Sequence, residues 1–158
     1  GAKLEKLKQK SLNENLNHQL GSSIIICKNI IKLFLKQKYG NLILLSSIMG
    51  VNNPKFETYR GTNMSSPIEY SAIKSGIISI TKYLAKYYTK KNLKINCVSP
   101  GGIKGNLPNK FISNYKKQCN SKGLLDPQNV SNVINYLLSE KSNFISGQNI
   151  VIDDGYSL

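Results

Sequence analysis

The sequence predicts an α/β fold built on a doubly wound parallel sheet, of which the chain supplies three strands and their helices. Three short apolar runs, 41–46, 93–98 and 148–152, are closed by Ser, Pro, Gly or Asp, as is typical of strands buried on both faces. Longer segments with apolar residues at helical spacing separate these runs. The alternation of strand and helix therefore indicates a parallel sheet covered by helices.

The first predicted element is helical. Residues 3–38 are expected to form a helix in two pieces, because residues such as Ile24, Cys27 and Ile31 fall on one wide apolar face. Gly40 is expected to end this helix as its C-terminal cap. The first predicted strand then follows directly.

A long loop comes after the first strand. Residues 51–67 lack periodicity and contain Pro54 and Gly61, and a loop of this length is typical of a functional segment. The next helix is predicted from Ile68 to about Lys90. The remaining predicted elements are a short helix from Asn109 to Cys119, a helix with Asp126 as N-cap and Pro127 in its first turn, and the last strand, 148–152.

Charge and length restrict the class of protein. The 158 residues allow a single domain with a real core, and they carry a formal net charge of +14. Nearly all basic residues are lysines spread through helices and loops, without an arginine cluster or a basic stripe interleaved with aromatics. A nucleic-acid partner is therefore not expected, whereas a basic surface is expected to attract anionic small molecules.

Cysteine and histidine usage argues against other kinds of site. Cys27, Cys97 and Cys119 lack metal-ligand spacing, and His18 is the only histidine, so neither a metal site nor a Ser/His/Asp hydrolase is predicted. No apolar run reaches the roughly 18 residues of a membrane span. The expected compartment is a reducing cytoplasm, without a membrane partner.

Tyr70 and Lys74 form a pair that is suited to proton transfer. They stand four residues apart in a predicted helix, so their side chains lie on one face. A positive charge close to a phenol favours the phenolate, which suits proton transfer, although a solvated helix face explains the same spacing in a lysine-rich chain. The context favours chemistry, because Ser47 and Pro100–Gly101 follow predicted strands and ligands of open α/β sheets bind beyond the carboxyl ends of strands.

Four motifs resemble those of the short-chain dehydrogenase/reductase family in order and spacing, apart from a longer gap between Ser47 and Tyr70. These motifs are Ser46–Gly50, Tyr70–Lys74, Asn96–Gly101 and Gly147–Gly155. The resemblance implies a Rossmann-like fold, of which residues 1–158 form the C-terminal portion of one domain. No glycine-rich loop for the cofactor pyrophosphate is present, so the N-terminal cofactor-binding half is expected to be absent.

The resemblance also implies a reaction. Tyr70 would act as the acid/base while a hydride moves to or from NAD or NADP, Lys74 would hold the nicotinamide ribose, and Ser47 would hydrogen-bond the substrate oxygen. The residues expected to lie against the cofactor are Tyr70, Lys74, Pro100, Gly101 and Ile103. Glycine at such a position permits close approach of the backbone to a ligand.

Two positions depart from the family pattern. Gly105 stands where many relatives carry a Thr or Ser that bonds the nicotinamide carboxamide. The asparagine that holds a relay water in many relatives corresponds to Gln19, with Asn17 nearby, and the sequence leaves open which of the two takes this role. An alternative therefore remains, a non-catalytic family member with an assembly or regulatory role.

The loop 51–69 is expected to cover the substrate. Its polar side chains suit a hydroxylated or phosphorylated ligand, with Lys55 and Arg60 as candidate substrate contacts, although a solvated loop explains them equally well. The loop and the C-terminal tail are similar to those of a group of bacterial flagellin-modification proteins. That similarity implies a sugar or nucleotide-sugar substrate in flagellin glycan (nonulosonic acid) synthesis.

The resemblance finally implies a homo-oligomer, a dimer or tetramer. In the family, helices equivalent to residues 10–38 and 68–90 pack against their symmetry mates. Both predicted helices are apolar on more than one side, which is the pattern that such packing needs.

Overall fold

The computed structural model describes residues 3–158. The strands of its sheet are β1 (Gly40–Leu45), β2 (Leu93–Pro100) and β3 (Asn149–Ile152). Within the described residues all pairings are parallel, in the order β1-β2-β3, so that Leu42 lies opposite Ile95 and Val98 lies opposite Ile150. The parallel α/β architecture predicted from the apolar runs is confirmed.

Helices precede and connect the strands. They are α1 (Gln9–Asn15), α2 (Ser22–Gln37), α3 (Ile68–Tyr87), α4 (Asn109–Lys116) and α5 (Pro127–Leu138). A π-helical segment, Leu16–Gly21, joins α1 to α2, and a 3-10 helix covers Leu4–Lys6. The predicted helical region 3–38 is therefore divided into more pieces than the two expected.

The sheet is covered by helices on both faces, since successive side chains of a strand point to opposite sides. On one face Leu42 and Ile95 pack with Cys27 of α2. On the other face Val98 packs with Leu137 of α5. Burial of side chains of this size contributes roughly 1.5–3 kcal/mol each, so the two layers hold the strand ends in place.

The predicted cap at Gly40 was wrong. The residue with left-handed backbone at the end of α2 is Lys38, with φ of 64°. Gly40 instead begins β1, where an added Cβ would lie 2.1 Å from a ring carbon of Phe34. Glycine is required there because the aromatic ring packs directly against the backbone.

Other boundaries also differ from the prediction: β1 is shifted by one residue from the predicted 41–46, and β3 begins one residue after the predicted 148. α3 ends at Tyr87 rather than near Lys90, because Lys90 and Asn92 take left-handed conformations, with φ of 68° and 54°, that turn the chain into β2. α4 ends at Lys116 instead of Cys119. β2 continues through Pro100, which lies beyond the last pair with β1, Leu45 and Val98, so its missing N–H removes no hydrogen bond to that strand. By contrast, the start of α5 at Asp126 and Pro127 is confirmed.

The loop between β1 and α3 is only partly irregular. It contains two 3-10 turns, Ile48–Gly50 and Phe56–Tyr59. β1 lies at one edge of the sheet, so one side of its backbone has no neighbouring strand among residues 3–158. None of the helices in this part of the chain is long and apolar enough to cross a membrane.

Candidate active site

Tyr70 and Lys74 lie together on the first turns of α3. The Nζ atom of Lys74 is 5.4 Å from the centroid of the Tyr70 ring. Pro67 precedes the helix with extended backbone, and its carbonyl accepts a hydrogen bond of 3.2 Å from the Tyr70 N–H. The predicted juxtaposition of phenol and ammonium on one helix face is therefore present, with the ammonium next to the ring.

Lys74 is partly withdrawn from water. Burial lowers the pKa of its ammonium. Burial in turn raises the pKa of the Cys97 thiol, so this side chain stays neutral and leaves the lysine charge uncompensated. An uncompensated, half-buried cation is suited to hold a polar ligand group or to stabilise a nearby anion.

Ser47 lies just beyond the carboxyl end of β1 and is buried. Its Oγ accepts a hydrogen bond of 3.2 Å from the Met49 N–H and thereby caps the turn Ile48–Gly50. A serine hydroxyl has one donor and two acceptor positions, so this bond leaves the O–H free to donate. A fixed donor at a strand end is the arrangement needed to stabilise charge on a substrate oxygen.

Two further residues hold the strand end against α3, and sequence reasoning did not identify them. The Ser46 hydroxyl donates to the Lys74 carbonyl oxygen at 2.7 Å. At Gly50 an added Cβ would lie 2.5 Å from the Lys74 carbonyl carbon, so the turn touches the helix backbone itself. The motif Ser46–Gly50 contains the signal, because small residues are needed where two backbones approach closely.

The segment Pro100–Ile103, called the ledge below, follows β2. The Gly101 N–H donates to the Ile152 carbonyl at 2.7 Å, and the Gly102 carbonyl accepts from the Leu125 N–H at 2.8 Å. Ile103 forms an isolated parallel bridge with Leu125, in which the neighbours of Ile103 make the hydrogen bonds. The N–H and C=O of Ile103 itself therefore point away from Leu125, and its side chain is exposed.

The two candidate substrate contacts have different surroundings. Lys55 Nζ lies 3.3 Å from the Leu158 carbonyl oxygen and 5.2 Å from the centroid of the Tyr156 ring. Arg60 lines a separate polar depression of about 210 Å³ together with Lys110 and Lys117. The structure thus gives Lys55 a role in holding the C-terminal tail, and it leaves Arg60 open to solvent.

The relay position has an unusual backbone. Both Asn17 and Gln19 lie in the π-helical segment Leu16–Gly21, and such widened turns are frequent at functional sites. Asn17 is exposed and Gln19 is half-buried. Within residues 3–158 no hydrogen bond joins either side chain to Tyr70, so the choice between them stays open.

Gly105 departs from the family pattern without a steric reason. A Cβ built at this position meets no atom within 4 Å. A side chain that contacts a ligand would fit there, so its absence is a property of this sequence and not a demand of the fold.

Comparison with known proteins gives a consistent result. A family profile described as enoyl-(acyl carrier protein) reductase matches residues 1–157. The post-translational flagellin modification protein A of Campylobacter coli is 46% identical over 145 residues, which cover 92% of this chain and 57% of that protein. The 7alpha-hydroxysteroid dehydrogenase of Bacteroides fragilis is 31% identical over 160 residues, covering 98% and 58% of the two chains.

A solved structure extends the comparison to three dimensions. A short chain dehydrogenase from Leptospira borgpetersenii with bound NAD+ superposes with a TM-score of 0.92 at 29% identity, over 99% of this chain and 60% of that one. The chain spans less than two thirds of the length of these relatives. The motifs Ser46–Gly50, Tyr70–Lys74, Asn96–Gly101 and Gly147–Gly155 all lie within residues 1–157, which the family profile matches.

Proposed function

Because the chain belongs to the short-chain dehydrogenase/reductase family, we propose that it carries the catalytic portion of an NAD(P)-dependent oxidoreductase. The observation that carries this proposal is the position of Lys74 Nζ, 5.4 Å from the Tyr70 ring centroid, on a helix that is fixed against the strand end bearing Ser47. Since the relatives are longer, the activity is assigned to a protein that joins this chain to the remaining portion of the family domain.

The residues along the ledge fit a nicotinamide cofactor. The N–H and C=O groups of Ile103 are directed away from Leu125, which leaves them available to a ligand. Lys74 and Tyr70 would supply donors to the cofactor from the α3 side, and Pro100 and Gly101 would lie against it. When bound, the cofactor supplies or accepts the hydride. The bound NAD+ of the Leptospira relative supports this assignment, and the choice between NAD and NADP stays open.

In the direction of reduction, three side chains act on the substrate carbonyl. The Ser47 hydroxyl donates a hydrogen bond to the carbonyl oxygen, which places a dipole where negative charge develops. The Tyr70 phenol gives its proton to that oxygen as the carbon accepts the hydride, so the product is an alcohol and the tyrosine is left as a phenolate. Lys74 stabilises that phenolate through its positive charge.

We propose a sugar or nucleotide-sugar intermediate as the substrate, in the synthesis of a flagellin glycan of the nonulosonic acid type. Two observations support this choice. The Campylobacter coli relative is named for flagellin modification. The polar loop 51–69 carries Lys55 and Arg60, and such positive charges suit an anionic substrate better than they suit a steroid.

The outer faces of α2 and α3 support a homo-oligomer. A groove of about 460 Å³ lies between these helices and is lined by exposed apolar side chains, among them Ile24, Leu35 and Tyr83. Tyr83 stacks on Tyr87 with ring centroids 5.9 Å apart, which extends the apolar surface. A second copy that packs the same two helices against this groove would form a dimer, and repetition would form a tetramer.

The test is an assay of the complete domain. Purified protein is offered NADH or NADPH with a panel of keto sugars and nucleotide keto sugars, and oxidation of the nicotinamide is followed by its absorbance. Turnover of any of these carbonyls supports the proposal. A protein that neither turns over nor changes the nicotinamide fluorescence favours the alternative, a non-catalytic family member with an assembly or regulatory role.

A further inference from the structure

We propose that Tyr115 and Tyr156 are positioning residues that couple the ledge to the substrate-side loop 51–69. This inference rests on the proposed function, since it concerns how the cofactor and substrate sides of one site are kept in register. Tyr115 belongs to α4 and Tyr156 to the C-terminal tail, so neither is part of the motifs that carry the family resemblance at Ser47 or Tyr70.

At the ledge, Tyr115 holds the backbone. Its hydroxyl oxygen accepts a hydrogen bond of 2.7 Å from the Gly102 N–H. The same oxygen would lie 2.6 Å from a Cβ at Gly101, so the phenol tip fills the space under both glycines. Only 2% of Tyr115 is exposed, and burial raises its pKa far above the ordinary value, so the hydroxyl remains neutral.

Between the ledge and the loop, the rings of Tyr115 and Tyr156 stack on each other. The ring centroids of Tyr115 and Tyr156 are 4.4 Å apart and the planes differ by 10°. Asp153 fixes the tail that carries Tyr156, because its carboxylate accepts from the Gly155 N–H at 3.0 Å and from the Ser157 N–H at 2.7 Å. A stacked aromatic pair is stabilised beyond the area that it buries, so each ring holds the other in place.

At the loop, the hydroxyl of Tyr156 contacts a buried hydroxyl group. Its OH lies 2.9 Å from Thr58 Oγ1, and Thr58 is 1% exposed. Asn114 of α4 adds a second tie, since its Nδ2 donates to the carbonyls of Thr58 at 3.2 Å and Arg60 at 3.0 Å. The loop that is expected to meet the substrate is therefore attached to the same helix and tail as the ledge.

The hydroxyl groups distinguish coupling from ordinary packing. A phenylalanine at either position would fill the core equally well, yet each hydroxyl bonds a different functional segment: Gly102 for Tyr115 and Thr58 for Tyr156. Loss of either hydroxyl leaves the stack intact and frees one end of the chain of contacts. The two ends can thus be perturbed separately.

The experiment compares Tyr115→Phe, Tyr156→Phe and the double variant with the wild type. Hydrogen exchange of the Gly102 and Thr58 amides is measured by NMR, and Tyr136→Phe, which changes an exposed tyrosine of α5, is the matched control. We expect Tyr156→Phe to speed exchange at the distant Gly102 amide by about two- to fivefold, a fraction of what loss of one hydrogen bond produces. Thr58→Val removes the same contact from the loop side and should give the same result.

The kinetic constants KM and kcat distinguish coupling from a purely structural role of the two tyrosines. In the complete domain we expect Tyr156→Phe to raise KM for the nicotinamide as well as for the carbonyl substrate, with kcat little changed. The effects of the two single variants should not add in the double variant, because both act on one connection.

The outcomes separate the two proposals. Unchanged exchange at Gly102 in both Tyr156→Phe and Thr58→Val, or additive effects in the double variant, would overturn the coupling. If the complete domain reduces no carbonyl, the proposed function fails, but hydrogen exchange still decides whether the ledge and the loop are coupled.

Discussion

The two sides of the candidate site are held in different ways. On the α3 side, Tyr70 and Lys74 are half-buried, and their side chains meet each other without a hydrogen bond to the Tyr70 hydroxyl among residues 3–158. On the ledge side, Tyr115 and Tyr156 are almost fully buried, and each hydroxyl has a partner. The difference supports the proposal: Tyr70 and Lys74, which are proposed to react, keep their hydrogen-bonding capacity for ligands, whereas the hydroxyls of Tyr115 and Tyr156 form hydrogen bonds within the protein.

The largest expected effect is a loss of turnover when Tyr70 on the α3 side of the site is changed. Tyr70→Phe removes the proton donor and keeps the ring that lies beside Lys74, so turnover should fall by roughly 10²–10⁴. Nicotinamide binding and the melting temperature should change little. Assay of the complete domain and a nicotinamide fluorescence titration check both parts, with Tyr136→Phe as the control. Turnover equal to that of the wild type would falsify the assignment of Tyr70.

A second prediction concerns the contact that places Lys74. Gly50→Ala introduces a Cβ 2.5 Å from the Lys74 carbonyl carbon, which is backbone and cannot move aside cheaply. We expect a loss of about 1–3 kcal/mol in the free energy of unfolding, measured by urea denaturation. Gly105→Ala is the matched control, because no atom lies within 4 Å of its Cβ. Equal stability of the two variants would contradict the close approach.

A smaller effect is expected from the hydrogen bond that accompanies this contact. Ser46→Ala removes the bond of 2.7 Å to the Lys74 carbonyl, which is shared with the helical ladder of α3. The free energy of unfolding should fall by about 0.5–1.5 kcal/mol, and KM for the nicotinamide should rise because Lys74 is held less firmly. Ser75→Ala, which loses an exposed hydroxyl bonded to the Gly50 carbonyl, is the comparison. A larger loss in the free energy of unfolding for Ser75→Ala than for Ser46→Ala would contradict this prediction.

The smallest expected effect at neutral pH is on stability and concerns Asp154, which lies in the C-terminal tail beside Tyr156. Asp154 accepts hydrogen bonds from the N–H groups of Gly123, Ser121 and Lys122 and from the Ser121 hydroxyl, and these donors lower its pKa to about 2. Because the pKa is lower in the folded state, the carboxylate stabilises the fold above roughly pH 4 and ceases to do so as the pH falls towards about 2.

The corresponding variant is Asp154→Asn. Its melting temperature should lie below that of the wild type at neutral pH, and the difference should shrink as the pH falls from about 4 to about 2. Thermal melts across this range provide the measurement. A difference that grows on acidification would show that another group governs the acid dependence.

The sequence was most informative where a property is local. Short apolar runs closed by Ser47 and by Pro100 predicted the carboxyl ends of two strands to within two residues, and Asp126 with Pro127 predicted a helix start, because caps and strand terminators act within a few residues. The motif order predicted the family, and the family profile confirms it over residues 1–157. The assigned catalytic roles stay predictions.

Non-local contacts explain what sequence reasoning missed. Tyr115 and Tyr156 are 41 positions apart and meet only because α4 and the tail converge beneath the ledge. Gly40 was misplaced because the ring of Phe34, and not the end of the helix, requires glycine there. The hydrogen bonds of Asp154 gave no sequence signal, since its four donors lie more than 30 positions earlier in the chain.

Among residues 3–158 no strand pairs with the outer edge of β1, and this has a practical consequence for work in solution. An unpaired strand edge is a template for a further strand, so material made from these 158 residues is prone to associate through it. The same edge makes the chain an acceptor in a fragment-complementation assay, in which a separately produced segment rich in parallel strands is added. Recovery of a monodisperse, nicotinamide-binding particle would then report that the two pieces recognise each other along β1.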